Sequence, residues 1–129
     1  MAIHSIEVPK QNWASFLRVL NRMAQDRLVS LEVLNRELGD EEMASKLPLE
    51  AIDFETKGSD RGDILVTVLS DDGPLTHRIE KPTQFFVAHN DAGDLLQTVA
   101  VLDAAGGETI VHFEDVPALP EQTGADAST

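Results

Sequence analysis

The fold is decided by residues 9–25, PKQNWASFLRVLNRMAQ. Their apolar side chains recur every three or four residues, which places them on one stripe of an α-helix. The stripe consists of Trp13, Phe16, Leu17, Leu20, Met23 and Ala24. Pro9 suits the first helical turn, where its missing N–H needs no partner. We therefore predict a helix from Pro9 to Gln25 with Arg18 and Arg22 on its wet side.

After the helix, apolar and polar residues alternate, which is the period of a β-strand. The pattern predicts strands at 28–34, 52–56, 64–69, 75–80, 83–89, 95–102 and 108–113. The connections between them are too short for helical crossovers, so the strands should form an antiparallel meander. Residues 39–47 read as a short helical turn or an excursion. The expected fold class is α+β, with the helix packed on a curved, mainly antiparallel sheet of six or seven strands.

The length of 129 residues fits one domain. We assign residues 1–115 to a single α+β domain, because the apolar periodicity continues to that point. Residues 116–129 contain small and polar residues without periodicity, and we expect a mobile C-terminal tail.

Charge and composition restrict the possible functions. The chain has 23 acidic and 10 basic residues, a formal net charge of -13, which disfavours binding to nucleic acid or to an anionic membrane. It contains no cysteine, which excludes disulfides, thiolate zinc sites and a cysteine nucleophile. No stretch approaches the ~20 apolar residues of a membrane span, and we expect a cytoplasmic protein.

The acidic residues suggest a binding surface. In a simple meander, alternate turns lie at the same end of the sheet, so several acidic turns should gather there. This predicted acidic end consists of Asp40, Glu41, Glu42, Asp71, Asp72, Asp91 and Asp94. It would meet a basic protein partner or weakly collect divalent cations. The turns lack the ordered spacing of an EF-hand loop, so a basic partner is favoured over a metal site, and a solvated acidic surface is the alternative.

The histidines offer the other candidate chemistry. His4, His77, His89 and His112 form no recognisable metal or catalytic motif. His77 lies on the apolar side of its predicted strand, where a packed histidine is the simpler interpretation and a pocket residue is the alternative. No nucleophile elbow or phosphate-binding loop is present, so we assign no catalytic residue, metal or cofactor.

Several segments together resemble a known bacterial family. They are IEVP at 6–9 leading to Trp13, LEVL at 31–34, LPLE at 47–50 and LTHRI at 75–79. Their order and character are similar to domain-of-unknown-function family 5335, an uncharacterised family, across most of the chain. The resemblance implies a bacterial protein and supplies no activity or site residue.

Three functions are compatible with these observations. The favoured hypothesis is a non-catalytic binding or regulatory module with an acidic interaction surface. One alternative is a small-ligand binder or enzyme that uses a pocket near His77. The other is a structural homo-oligomer formed through an exposed sheet edge.

Overall fold

The computed structural model describes residues 4–35, 39–58 and 61–118. A short 3₁₀ turn at Lys10–Asn12 leads into the helix α1 at Trp13–Ala24. The strands are β1 His4–Glu7, β2 Leu28–Asn35, β3 Gly39–Phe54, β4 Ile64–Ser70, β5 Gly73–Ile79, β6 Pro82–His89, β7 Leu95–Asp103 and β8 Glu108–Pro117. The predicted combination of one helix and an antiparallel sheet is confirmed.

The predicted strand number is wrong, because the sheet contains eight strands and most of the described chain is strand. The additional strand is β1, which precedes the helix and pairs with β6. The predicted turn or excursion at 39–47 is instead the first half of β3. Its acidic residues have low strand propensity, but pairing with β2 satisfies their backbone groups and overrides that preference.

The predicted simple meander is also wrong. The strand order is β1-β6-β7-β8-β2-β3-β4-β5, so β5 forms one edge and β6 lies next to the other. In a flat sheet these two strands would be about 29 Å apart, six steps of ~4.8 Å. Only Glu80 and Lys81 connect them, and that connection spans at most ~11 Å. The sheet therefore curls strongly and brings β5 back towards β6.

The concave side of the curled sheet holds the core. Trp13 is 1% exposed, and its ring lies between Phe54 of β3 at 5.8 Å and Phe85 of β6 at 5.9 Å. Its Nε1–H donates a hydrogen bond of 2.8 Å to the carbonyl oxygen of Val8, so the one polar atom of the ring is satisfied. Phe16 packs edge-on against Phe85. One tryptophan therefore joins the helix to strands from both parts of the sheet.

The helix also completes the hydrogen bonding of β3. The first half of β3 pairs with β2 and the second half with β4, which leaves one edge of the second half without a strand. The Asn21 side chain covers that edge: its amide donates to the carbonyl of Ile52 at 2.9 Å and accepts from the Ile52 N–H at 2.8 Å. The backbones of Asp26 and Arg27 pair with Leu49 on the same edge. The end of α1 thus takes the place of a neighbouring strand.

The C-terminal boundary differs from the prediction. β8 continues to Pro117, two residues beyond the predicted domain end, because Val116 is buried in the core and pairs with Leu96. Residues 119–129 of the predicted tail lie outside the described residues.

Replacement of Trp13 by alanine tests the role of this side chain. We expect Trp13→Ala to lower the free energy of unfolding by about 3–5 kcal/mol, because it removes a fully buried ring from between two phenylalanines. Urea denaturation followed by circular dichroism measures the loss. Ala14→Ser, at an exposed position on the same helix, is the control and should change the free energy by less than ~1 kcal/mol. A Trp13→Ala loss as small as that of the control would contradict this packing.

Candidate functional site

The structure does not bring all the predicted acidic residues together. Asp40, Glu41 and Glu42 lie at the start of β3, near Leu34, which pairs with Glu108 at the start of β8. The turn that contains Asp91 and Asp94 adjoins the other end of β8, about 30 Å away along the strand.

Asp71 and Asp72 form the turn between β4 and β5. β4 pairs with β5 and with the second half of β3, and β5 pairs with β4 alone. The geometric basis of the single acidic end is therefore wrong, because neighbours in the sheet are not always neighbours in the chain.

Asp40 and Glu42 instead belong to a cluster on the outer face of the sheet. Its members line a shallow depression of about 280 Å³ and are contributed by β2, β3 and β8. We call this group the outer-face cluster, and it consists of Ser30, Glu32, Asp40, Glu42 and His112. Glu32 faces outwards because it follows Leu31, which is fully buried in the core. Successive side chains of a strand lie on opposite faces of the sheet.

The register of β2 and β3 assembles the cluster. Leu31 pairs with Ala44 and Glu32 pairs with Glu42, so β3 holds one extra residue, Met43, as a β-bulge. Beyond the bulge, Glu32 lies directly opposite Glu42 and diagonally opposite Asp40. Both neighbours are within reach of a glutamate side chain. The bulge therefore places three acidic side chains on the same face.

His112 reaches the cluster from β8. It pairs with Ser30, and its Nε2 lies 3.0 Å from Oε1 of Glu32. The Ser30 hydroxyl accepts a hydrogen bond from the backbone N–H of Lys46 at 3.1 Å and so supports the bulged region of β3. The carboxylate of Glu32 is thus held by a side chain of β8, and Ser30 beside it supports the neighbouring part of β3.

The titration of the cluster is coupled. A hydrogen bond with the Asp40 carboxyl lowers the pKa of Glu32, and the hydrogen bond with His112 acts in the same direction. The same hydrogen bond to Glu32 raises the pKa of Asp40, and the charges of Glu32 and Glu42 raise it further. The two carboxyl groups therefore titrate as a coupled pair, because adjacent carboxylates resist ionising together.

This arrangement suits the binding of a cationic side chain. A guanidinium or ammonium group in the depression would supply a counter-charge to the carboxylates. Across residues 4–35, 39–58 and 61–118, no three His, Cys, Asp or Glu side chains are placed so that they could hold a metal ion. The cluster is open to solvent, with the His112 side chain 46% exposed.

His77 lies elsewhere, inside the curled sheet. It is half-buried, and its Nε2 is 3.1 Å from the hydroxyl oxygen of Thr109, a residue that is 2% exposed. β5 and β8 are four steps apart in the sheet, so this contact exists only because the sheet curls. A depression of about 510 Å³ lies nearby, but His77 is not among its lining residues. That depression is lined by Arg78, Glu80, Lys81, Asp103, Ala104 and Ala105.

Sequence reasoning singled out neither Glu32 nor His112 as a site residue. The alternation of Leu31, Glu32 and Val33 shows that Glu32 faces outwards. It does not show that β8, more than 70 residues away in the chain, supplies the neighbour. His112 is exposed, and His89 is only partly exposed. The side chain of His4 lies outside the described part of the structure.

Comparison with known proteins places the chain in a family. Residues 4–122 match the family of unknown function DUF5335. The chain belongs to this family. This DUF5335 chain is also similar to an uncharacterised protein of Aquifex aeolicus (strain VF5). The two are 26% identical over 114 residues, which cover 88% of this chain and 96% of the relative. No solved structure matches the chain.

The described part of this DUF5335 protein contains no helix with the length and apolar character needed to cross a membrane. The helix α1 has 12 residues and exposes charged side chains on one side.

Acidification tests the environment of His77. Burial lowers its pKa below the ordinary value of 6.5, and the charge of Asp103 partly opposes this shift. The unfolded chain therefore binds more protons than the folded one below pH 6.5. The stabilising contribution of neutral His77 should be complete above this pH and be lost as the pH falls through the folded-state pKa.

We expect the free energy of unfolding to fall more steeply on acidification in the wild type than in His77→Gln, which cannot titrate at this position. Urea denaturation at a series of pH values measures both slopes. The same dependence on pH in both proteins would show that His77 does not titrate differently in the folded and unfolded states.

Proposed function

We propose that this DUF5335 protein is a non-catalytic cytoplasmic binding module whose outer-face cluster receives a basic side chain of a protein partner. The observation that carries the proposal is the arrangement of Glu32, Asp40 and Glu42 around one depression, with His112 in contact with the Glu32 carboxylate. The cytoplasmic location is part of the proposal, and cell fractionation tests it.

The cluster is better suited to a guanidinium than to a small ion. His112 Nε2 lies 3.0 Å from the Glu32 carboxylate oxygen Oε1, and this contact fixes the orientation of the carboxylate. A carboxylate of fixed orientation matches the two parallel N–H groups of an arginine. Metal ions instead need several oxygens that converge on one point, and a diffuse, open depression does not provide them.

The net charge of the chain contributes to the same function. A formal charge of -13 attracts basic partners over distances that depend on salt, with a Debye length of about 8 Å at physiological ionic strength. This long-range attraction raises the association rate, while contacts at the cluster set the geometry of the complex. Binding should therefore weaken as salt is added.

An arginine-rich peptide tests the proposal directly. We compare acetylated hexaarginine binding to the wild type and to the variant E32Q/D40N/E42Q by isothermal titration calorimetry. The variant should bind about tenfold more weakly, because three partly exposed ion pairs are lost together. The measurement is repeated over a salt series to separate contacts at the cluster from general attraction.

The matched control is D71N/D72N/D91N, which also removes three negative charges but outside the cluster. These exposed aspartates belong to the acidic end predicted from the sequence, so the control tests that prediction as well. Equal losses in the two variants would show that only net charge matters and would contradict a site at the cluster. A loss confined to the control would transfer the interaction to Asp71, Asp72 and Asp91.

A further inference from the structure

The positive charge of this acidic chain is concentrated on the helix. Residues 9–27 contain four basic residues and a single acidic one, Asp26, in a chain of formal net charge -13. Arg18 and Arg22 lie in register with Ala14 at intervals of four residues, which places them on one side of α1, and Lys10 lies in the 3₁₀ turn that leads into it. We call Lys10, Arg18 and Arg22 the basic stripe.

The basic stripe is exposed and fixed in direction. Trp13, Phe16 and Leu20 bury the opposite side of the helix in the core. This burial fixes the orientation of the helix, so the stripe faces solvent. Lys10 lies 5.6 Å from the centre of the Trp13 ring. Among the described residues, Arg18 and Arg22 have no ion-pair partner. Within the described part of the chain, the stripe is thus a positive surface whose two arginines have no ion pair, on a rigid element.

We propose that the basic stripe docks on the outer-face cluster of a second copy of the chain. The inference rests on the proposed function, since it names the arginines that would enter the depression between Glu32, Asp40 and Glu42. Arg18 and Arg22 are four residues apart on the same helical side, so one can enter the depression while the other contacts its rim.

Charge complementarity favours a second copy over a polyanion. Outside residues 9–27 the chain contains 22 acidic and six basic residues, so an extended polyanion such as duplex DNA or an anionic membrane would be repelled over most of its contact area. The apolar side of the helix is buried, which leaves nothing to insert into a bilayer. A second copy also carries a formal charge of -13, so general repulsion opposes its approach as well, but its attraction is concentrated in the compact acidic patch at the cluster, within contact distance of the arginines.

The two surfaces determine the kind of assembly. The helix packs on the concave face of the sheet, and Glu32 lies on the opposite face. A twofold dimer in which each copy uses both surfaces at once would need them on the same side of the molecule. Docking of the stripe of one copy on the cluster of another is heterologous, because the two surfaces lie on opposite faces. Every complex then keeps a free stripe at one end and a free cluster at the other. The assembly should therefore grow beyond a dimer as the concentration rises.

A complementation experiment tests this inference. R18E/R22E removes the stripe and keeps the cluster, whereas E32Q/D40N/E42Q removes the cluster and keeps the stripe. We expect the average mass of the wild type in sedimentation velocity to rise past that of a dimer from micromolar to millimolar concentration. Each variant alone should remain a monomer, and an equimolar mixture should form a complex of one copy of each that grows no further.

Two controls keep the experiment specific. K57E/R61E makes the same change in charge as R18E/R22E in the loop between β3 and β4 and should self-associate like the wild type. R18Q/R22Q removes the positive charge without reversing it and should weaken self-association at least about tenfold. Unfolding followed by the fluorescence of Trp13 checks that every variant is folded.

A wild type that stays monomeric, a mixture that forms no complex, or a control as defective as R18E/R22E would each overturn the inference. Binding of duplex DNA or phosphatidylglycerol vesicles that depends on Arg18 and Arg22, without self-association, would assign the stripe to a polyanion and overturn it too. If hexaarginine still binds the wild type through the cluster in these cases, the proposed function stands and only the second copy is excluded.

Discussion

The short connection between β5 and β6 is the constraint on which the rest of the structure depends. Glu80 and Lys81 join β5, at one edge of the sheet, to β6, which lies next to the other edge. Lys81 adopts a φ of 50° in this connection. Its carbonyl accepts a hydrogen bond from the N–H of Ala104, which ties the corner to the turn between β7 and β8. Ile79 and Pro82 are buried on either side of it. With this corner fixed, the sheet has to curl and enclose a core.

The curl separates two kinds of surface. The concave face is filled by the helix and by the side chains around Trp13, and its polar groups are used within the fold, as the contact between His77 and Thr109 shows. The convex face keeps its polar side chains available. The outer-face cluster lies there because a β-bulge in β3 sets Glu42 opposite Glu32. Recognition is therefore expected on the outer face and on the wet side of the helix.

Local periodicity predicted the helix and most of the strands, because the spacing of Trp13, Phe16 and Leu20 needs only their own segment to be interpreted. The first half of β3 was missed because its acidic residues hide the strand pattern until pairing with β2 is known. Asp40 and Glu42 were named as acidic binding residues, but their neighbours Glu32 and His112 were missed for a related reason. Alternation indicates that Glu32 faces outwards, but it carries no information about which distant strand lies beside β2. Only the strand order brings His112 to it.

We propose that a basic side chain binds the coupled carboxyl pair of Glu32 and Asp40. Carboxyl-resolved NMR titration, with and without saturating hexaarginine, measures this most directly. We expect Asp40 to titrate above its ordinary value of 3.8 and Glu32 below its ordinary value of 4.5, and we expect the peptide to lower the pKa of Asp40. Titration of both groups at their ordinary values, or a pKa of Asp40 that saturating peptide leaves unchanged, would contradict the claim.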